Sequence, residues 1–257
     1  MEVVVDRKIF KLPFTRVAIQ DWQCPTCQKG LLRIKEGTFF SEETSLSKKA
    51  HDHEAWDPDW ISYVYSCLLE CSNNSCKETV SNTGKGFVDW DIEHDEHGYP
   101  EQVYGDFFKP LFFHPHLKLI PVPENTPDEV KKKLNDSFQL FFSSPSAASN
   151  HVRAAIESLL NNLNVNRYRV SNGKRRLINL HQRIDLLPAK YAELKDLLIA
   201  VKWLGNAGSH SGKELTADDV MDAYEIMEHI LYEIYESKST KLKALAKKVN
   251  KAKGPKS

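Results

Sequence analysis

Apolar and polar positions change rhythm along the chain. Up to about residue 110 they alternate in short stretches. Segments 31–40, 60–70 and 85–91 mix β-branched, aromatic and polar residues, and Ser62-Tyr63-Val64-Tyr65-Ser66-Cys67-Leu68 reads as a good strand. Between them, Asp57-Pro58-Asp59, Ser72-Asn73-Asn74-Ser75 and Thr83-Gly84-Lys85-Gly86 read as turns. The pattern predicts short antiparallel strands with long loops.

A proline-studded stretch follows, with Pro110, Pro115, Pro121, Pro123 and Pro127. Proline cannot donate to a β-ladder and restricts the residue before it, so this stretch is expected to be irregular and to mark a domain boundary. Beyond it the spacing is helical. Thr126-Pro127-Asp128-Glu129 predicts a capping box, with Val130, Leu134 and Phe138 on one face. A second helix is expected from Ser144-Pro145, a third over 177–186, a fourth over 191–204 and a fifth over 216–235. Residues 240–253 form a Lys/Ala/Leu pattern with no acid to pair, expected to fray. The domains are then 1–109 (β-rich), 110–237 (helical) and 238–257 (a basic Lys-rich tail).

Composition changes this picture little until charge is mapped. The chain has 257 residues, 41% of them apolar, with 35 basic and 35 acidic side chains. No apolar run approaches the roughly 18 residues of a membrane helix, and MEVVVDRKIF lacks a signal-peptide core, so the expectation is cytoplasmic. Zero net charge hides asymmetry. Residues 41–106 hold 15 Asp or Glu against four Lys, a net of −11. Residues 153–183 carry seven Lys or Arg against Glu157, a net of +6, and the last twenty residues hold eight Lys and no acid. The segment Arg167-Tyr168-Arg169 through Lys174-Arg175-Arg176, with Asn172-Gly173 between, is expected to be a loop patch suited to phosphate, or else a plain solvated loop. The acidic front should not be the part that holds a polyanion.

All five cysteines lie in the first half. Cys24-Pro25-Thr26-Cys27 and Cys71 through Cys76 are paired thiols in turns, separated by strand-like sequence. Four thiolates satisfy a tetrahedral Zn2+, so a structural zinc ribbon is expected on Cys24, Cys27, Cys71 and Cys76. A redox CxxC or unrelated thiols are the alternatives. Cys67 is expected to be a small buried apolar residue. The run Asp89 through His97 is expected to be a solvated acidic loop rather than a metal site.

Leu197 through Leu204 form an apolar helix that is expected to end at Gly205-Asn206, with Gly205 or Gly208 as the left-handed cap and His210 just beyond. Lys202-Trp203-Leu204-Gly205-Asn206-Ala207-Gly208-Ser209-His210 resembles the signature of the bacterial family called domain of unknown function 4145. Ala148 through Glu157 resembles its "A-x-x-x-x-R-x-A-x-E" helix, and Asp218 through Tyr235 resembles its closing helix. The likeness covers about 110–237. It implies a HEPN-like helical fold and a place in prokaryotic, restriction-linked or anti-phage defence. HEPN ribonucleases carry R-N-x-x-x-H at a dimer interface. Asn206 and His210 match its second and last positions, but Gly205 stands at the arginine, and Lys202 lacks arginine's planar fork.

The fold class expected is therefore α+β: a small antiparallel β zinc-ribbon domain followed by an all-α HEPN-like bundle. The function expected is a non-catalytic or weakly catalytic, dimeric component that binds nucleic acid or protein, with Arg167, Arg169, Lys174, Arg175 and Arg176 on RNA or DNA, or with a defence-system protein as partner. The alternatives are a metal-independent endoribonuclease using His210, Asn206 and Lys202, or a structural subunit of a larger assembly.

Overall fold

The computed structural model describes residues 7–94, 97–210, 215–236 and 238–254, without the side chains of 91, 93, 207–210, 238–241, 243, 244 and 252. The chain divides into two compact units, Met1–Lys118 and Leu119–Ser257.

The first unit is a curled antiparallel sheet. Its strands are β1 (Leu32–Ile34), β2 (Phe40–Glu43), β3 (Ser62–Cys71), β4 (Thr79–His94) and β5 (Pro100–His114), and a short helix α1 (Ser45–Ala50) links β2 to β3. The order is β1-β3-β4-β5, with β2 sharing the β1 edge of β3. Aromatic rings fill its concave side: Trp22 meets Phe113 edge-on at 4.9 Å, and Phe14 meets Tyr65 at 5.5 Å. Buried polar groups are paired. Tyr65 donates to Asn82 Oδ1 at 2.7 Å, and Asn82 Nδ2 donates to the carbonyl of Phe112 at 2.9 Å.

A small zinc ribbon with short strands is thereby overturned. Strands β4 and β5 span 16 and 15 residues, and the cysteines sit at one end of a much larger sheet. Two local features had disguised this. Gly84, expected in a turn, lies mid-strand, where a Cβ would meet the Lys109 carbonyl oxygen and Pro110. Pro110 is itself inside β5, at the register shift beside Thr83 and Gly84, where a missing N–H is tolerated. The irregular stretch begins only after His114. The acidic residues 89–94, expected in a loop, belong to β4. Past Phe87 that strand pairs with β5 alone, and Trp90 stands opposite Tyr104.

The second unit is mainly helical: α2 (Asp128–Leu140), α3 (Pro145–Asn162), α4 (Leu180–Asp185), α5 (Lys195–His210), α6 (Ala217–Tyr235) and α7 (Lys238–Ala252). Helix α3 packs against α2, α5 and α6. Its Ala148, Val152, Ile156 and Leu159 are fully buried, as are Leu134 of α2, Val201 of α5 and Met227 of α6. Ser137 Oγ donates to the Ala148 carbonyl or the Tyr224 hydroxyl, each 2.7 Å away in that core. Ser144 caps α3, and Thr216 with Asp219 forms a capping box on α6.

The expectation of an all-α second unit is corrected as well, whereas the mixed α+β character of the chain holds. Strands β6 (Tyr168–Ser171) and β7 (Lys174–Leu177) form a separate antiparallel hairpin within this unit. The helix expected over 177–186 shrinks to α4, because Leu177 ends β7. No side-chain cap forms at α2: Pro127 takes the cap position, and Thr126 Oγ1 is buried without a partner among the described residues. Helix α5 runs through Gly205 and Asn206 instead of ending there. Gly205 is buried against α3, where a Cβ would lie 2.7 Å from Arg153 Cβ and 3.3 Å from the Ser149 carbonyl oxygen. It is a close-approach residue, not a cap. Residues 240–253, expected to fray, lie almost wholly in helix α7, with Leu242, Leu245 and Val249 exposed.

Candidate functional site

Two similar knuckles carry the four cysteines. In the first, the Cys24 N–H bonds the Gly30 carbonyl at 2.8 Å and Gln28 N–H returns to Cys24 at 3.0 Å. In the second, the N–H groups of Cys76 and Lys77 return to Asn73 at 2.9 and 3.0 Å. The residue just after each second cysteine turns left-handed: Gln28 at φ 53° and Lys77 at φ 51°. Pairing of Leu32 with Cys71 brings the knuckles together, and Ser72 and Leu31 exchange bonds of 2.8 and 2.9 Å across them. Thr26 donates to Glu78 across the same gap at 2.6 Å.

The sulfurs of Cys24, Cys27, Cys71 and Cys76 all lie within 4.8 Å of one another, and no two are bonded. Cys24 and Cys76 are 3.8 Å apart, and Cys27 and Cys71 are 3.6 Å apart. A tetrahedral ion with metal–sulfur bonds of about 2.3 Å separates its sulfurs by about 3.8 Å, so the donor set fits such an ion. The surroundings fit too. The N–H groups of Gly30 and Asn73 point at Cys27 Sγ and Cys71 Sγ at 3.4 Å each. At Gly30 a Cβ would lie 2.5 Å from Cys71 Sγ, so only glycine leaves the cluster room. The Cys27 thiol is held down to about 6, first by the Gly30 N–H and then by that of Lys29, whereas burial pushes Cys71 up to about 12. Thiols bind a metal ion as thiolates, so an ion held here would displace the protons that remain on them. Four close cysteines could hold a metal ion; among the described residues no other group of His, Cys, Asp or Glu does so. Cys67 lies outside the cluster, with its thiol pushed up to about 12 by burial.

Residues 135–252 match the family model described as Domain of unknown function (DUF4145). Residues 12–113 match a second, Domain of unknown function (DUF8608), which spans both knuckles and nearly the whole sheet. The first match starts inside α2 and takes in α7, so it is shifted toward the C-terminus of the range 110–237 expected from the signature. No curated protein and no solved structure matches the chain.

The basic residues expected in a loop lie on the β6–β7 hairpin. Asn172 and Gly173, at φ 52° and 70°, make the two-residue turn with both φ positive that such hairpins favour. Arg169 stands opposite Arg176, and Ser171 opposite Lys174, so three cations share one exposed face. Val170 stands opposite Arg175 on the other face, where the Arg175 guanidinium covers the Tyr168 ring at 3.9 Å. Arg167 precedes the hairpin, and its carbonyl accepts from Ile178 at 3.0 Å.

Lys202, Asn206 and His210 follow one another along α5. Lys202 is buried, with its Nζ 3.4 Å from His181 Nδ1 and 3.4 Å above the Trp203 ring. Burial, then the nearby Arg153 guanidinium, hold its ammonium below the usual lysine range. Asn206 is half-buried. The side chain of His210 lies outside the described residues. The sequence had not singled out Gly30 and Asn73 beside the sulfurs. Their signal was positional, a small residue three beyond Cys27 and a turn-former two beyond Cys71.

No helix among the described residues is long and apolar enough to cross a membrane.

Proposed function

We propose that the chain is a non-catalytic nucleic-acid-binding protein. A structural zinc ion staples the first unit, and the β6–β7 hairpin of the second contacts phosphate. The observation that carries this is the exposed hairpin face bearing Arg169, Lys174 and Arg176 with no acidic residue on either strand. Guanidinium groups fork onto phosphate oxygens, and cations held on a rigid ribbon lose less freedom on binding than cations on a loop.

Zinc is the ion that suits four thiolates at these spacings, and four protein sulfurs leave it no open position, so its role is structural. The charge map supports the same division of labour. Residues 41–106 carry −11 and repel a polyanion, whereas 153–183 carry +6.

The test is fluorescence anisotropy of the full chain with labelled oligonucleotides across a salt series. Affinity should fall with salt, with a log–log slope of about −0.7 per phosphate contact on a single strand. The double variant Arg169→Ala/Arg176→Ala should flatten that slope. Affinity insensitive to both salt and the double variant would remove the proposal.

A further inference from the structure

At the base of the hairpin lies a groove of about 640 Å³ whose wall includes Asn164, Asn166, Arg167, Tyr168, Arg169 and Arg175. Among the described residues no carboxylate lines it. Asn161 adds a third amide to the lining, its Oδ1 held by Arg183. That arginine is buried. Its Nη2 donates to Asn161 Oδ1 at 2.7 Å and to the Val165 carbonyl at 3.2 Å, and its Nε has no partner among the described residues. With its oxygen taken, Asn161 keeps its amide N–H groups to offer. Asn164, also in the lining, turns left-handed at φ 58°.

A phosphate needs only cations. Amides from three asparagines, beside an aromatic ring with one face under Arg175, match more: hydrogen-bonding base edges and a flat surface. Duplex bases keep their pairing edges and faces inside the stack, so only an unpaired base could use this groove. Its volume lies within the usual range for small-ligand sites.

We infer that the groove seats an unpaired nucleobase together with its phosphate, so that the chain selects single-stranded over duplex nucleic acid. The inference rests on the hairpin being a nucleic-acid contact. It adds which form is held, and by which residues. Tyr168 supplies stacking, the asparagine amides read the base edge, and Arg167 and Arg169 hold the phosphate.

The experiment measures anisotropy of the full chain with one labelled 12-nucleotide sequence as single-stranded RNA, single-stranded DNA and duplex DNA. Tyr168→Leu, Tyr168→Phe, Asn166→Ala and Arg169→Ala/Arg176→Ala are compared, with circular dichroism checking the helices. Single strands should bind at least about tenfold tighter than duplex. Tyr168→Leu should cost about tenfold on single strands, while Tyr168→Phe keeps the affinity. Asn166→Ala should weaken single-strand binding and leave duplex binding unchanged. RNA binding tighter than DNA would assign contacts to the 2′-hydroxyl, and equal binding would assign the site to the base and phosphate they share; either outcome supports the groove. Duplex binding as tight as single strands, or Tyr168→Leu without effect while the arginine pair still weakens binding, would overturn the groove and leave the hairpin proposal standing. No loss in the arginine pair would overturn both.

Discussion

The two units hold themselves together by different means. The first is a sheet whose concave face is lined by aromatic rings meeting edge to face, such as Trp22 on Phe113 and Phe39 on Phe108. The ends of β1 and β3 meet at the four sulfurs. The second buries mainly aliphatic side chains of α2, α3, α5 and α6, with Val152, Ile156, Leu159 and Leu160 fully enclosed and Phe138 meeting Tyr224 edge-on at 5.1 Å. Their polar groups also differ in direction. The cysteines converge inward on one point, and the hairpin arginines diverge into solvent. Convergent, enclosed donors suit an ion held as part of the fold. Divergent, exposed cations suit a ligand that comes and goes.

The largest effect expected separates the units by their dependence on metal. Binding of structural zinc to small domains is worth on the order of 10 kcal/mol and doubles as folding free energy. Removing the ion with a chelator, or Cys71→Ser, should abolish the near-ultraviolet signal of the first unit, whose tryptophans include the buried Trp22. The far-ultraviolet helical signal should persist. A helical signal lost together with the tryptophan signal would show that the units do not differ in this way.

A smaller effect probes the helical core. Gly205→Val places atoms where Arg153 Cβ and the Ser149 carbonyl already stand. Overpacking of this kind costs about 1–3 kcal/mol. The thermal midpoint of the helical signal should drop, with the Trp22 signal unmoved. An unchanged midpoint would mean that α3 and α5 can separate freely.

The smallest effect is at the start of α6. The Thr216 hydroxyl, then the Thr216 N–H, hold the Asp219 carboxyl below the usual carboxylate range. A depressed folded value stabilises above the unfolded value of about 3.9 and is lost as pH falls through the folded one. Thr216→Ala should cost about 1 kcal/mol at pH 7. The gap between wild type and Asp219→Asn, followed by urea melts, should begin to narrow as pH falls below about 4 and go on narrowing as it falls further. A gap constant from pH 7 to 3 would contradict the capping box.

Sequence served the two units unequally. Ser144-Pro145 announces its helix because a cap is a local event, completed within four residues, but the same kind of signal at Thr126 marks the start of α2 without forming the side-chain cap it promised. The cysteine set was legible for a related reason, since each pair lies in one short turn. The long strands were not. Gly84-Lys85-Gly86 and the acids after Val88 imitate a turn and a solvated loop, and only β5 lying alongside makes them strand. The hairpin carried its strongest cue in Asn172-Gly173, but arginines at alternate positions hid the apolar rhythm around it. Gly205 shows the same limit. A glycine near the end of an apolar run looks like a cap until the neighbouring helix is known to lie against it. What depends on distant chain could not be seen from nearby residues.

One measurement tests the division of labour most directly: nucleic-acid affinity of the full chain before and after chelation. Metal loss should disorder the sulfur knuckles while the affinity for single-stranded oligonucleotide stays within about twofold, because the acidic unit repels phosphate and the hairpin does not rely on the ion. Affinity that vanishes with the metal while the helical signal persists would place the nucleic-acid contact on the first unit and contradict the account.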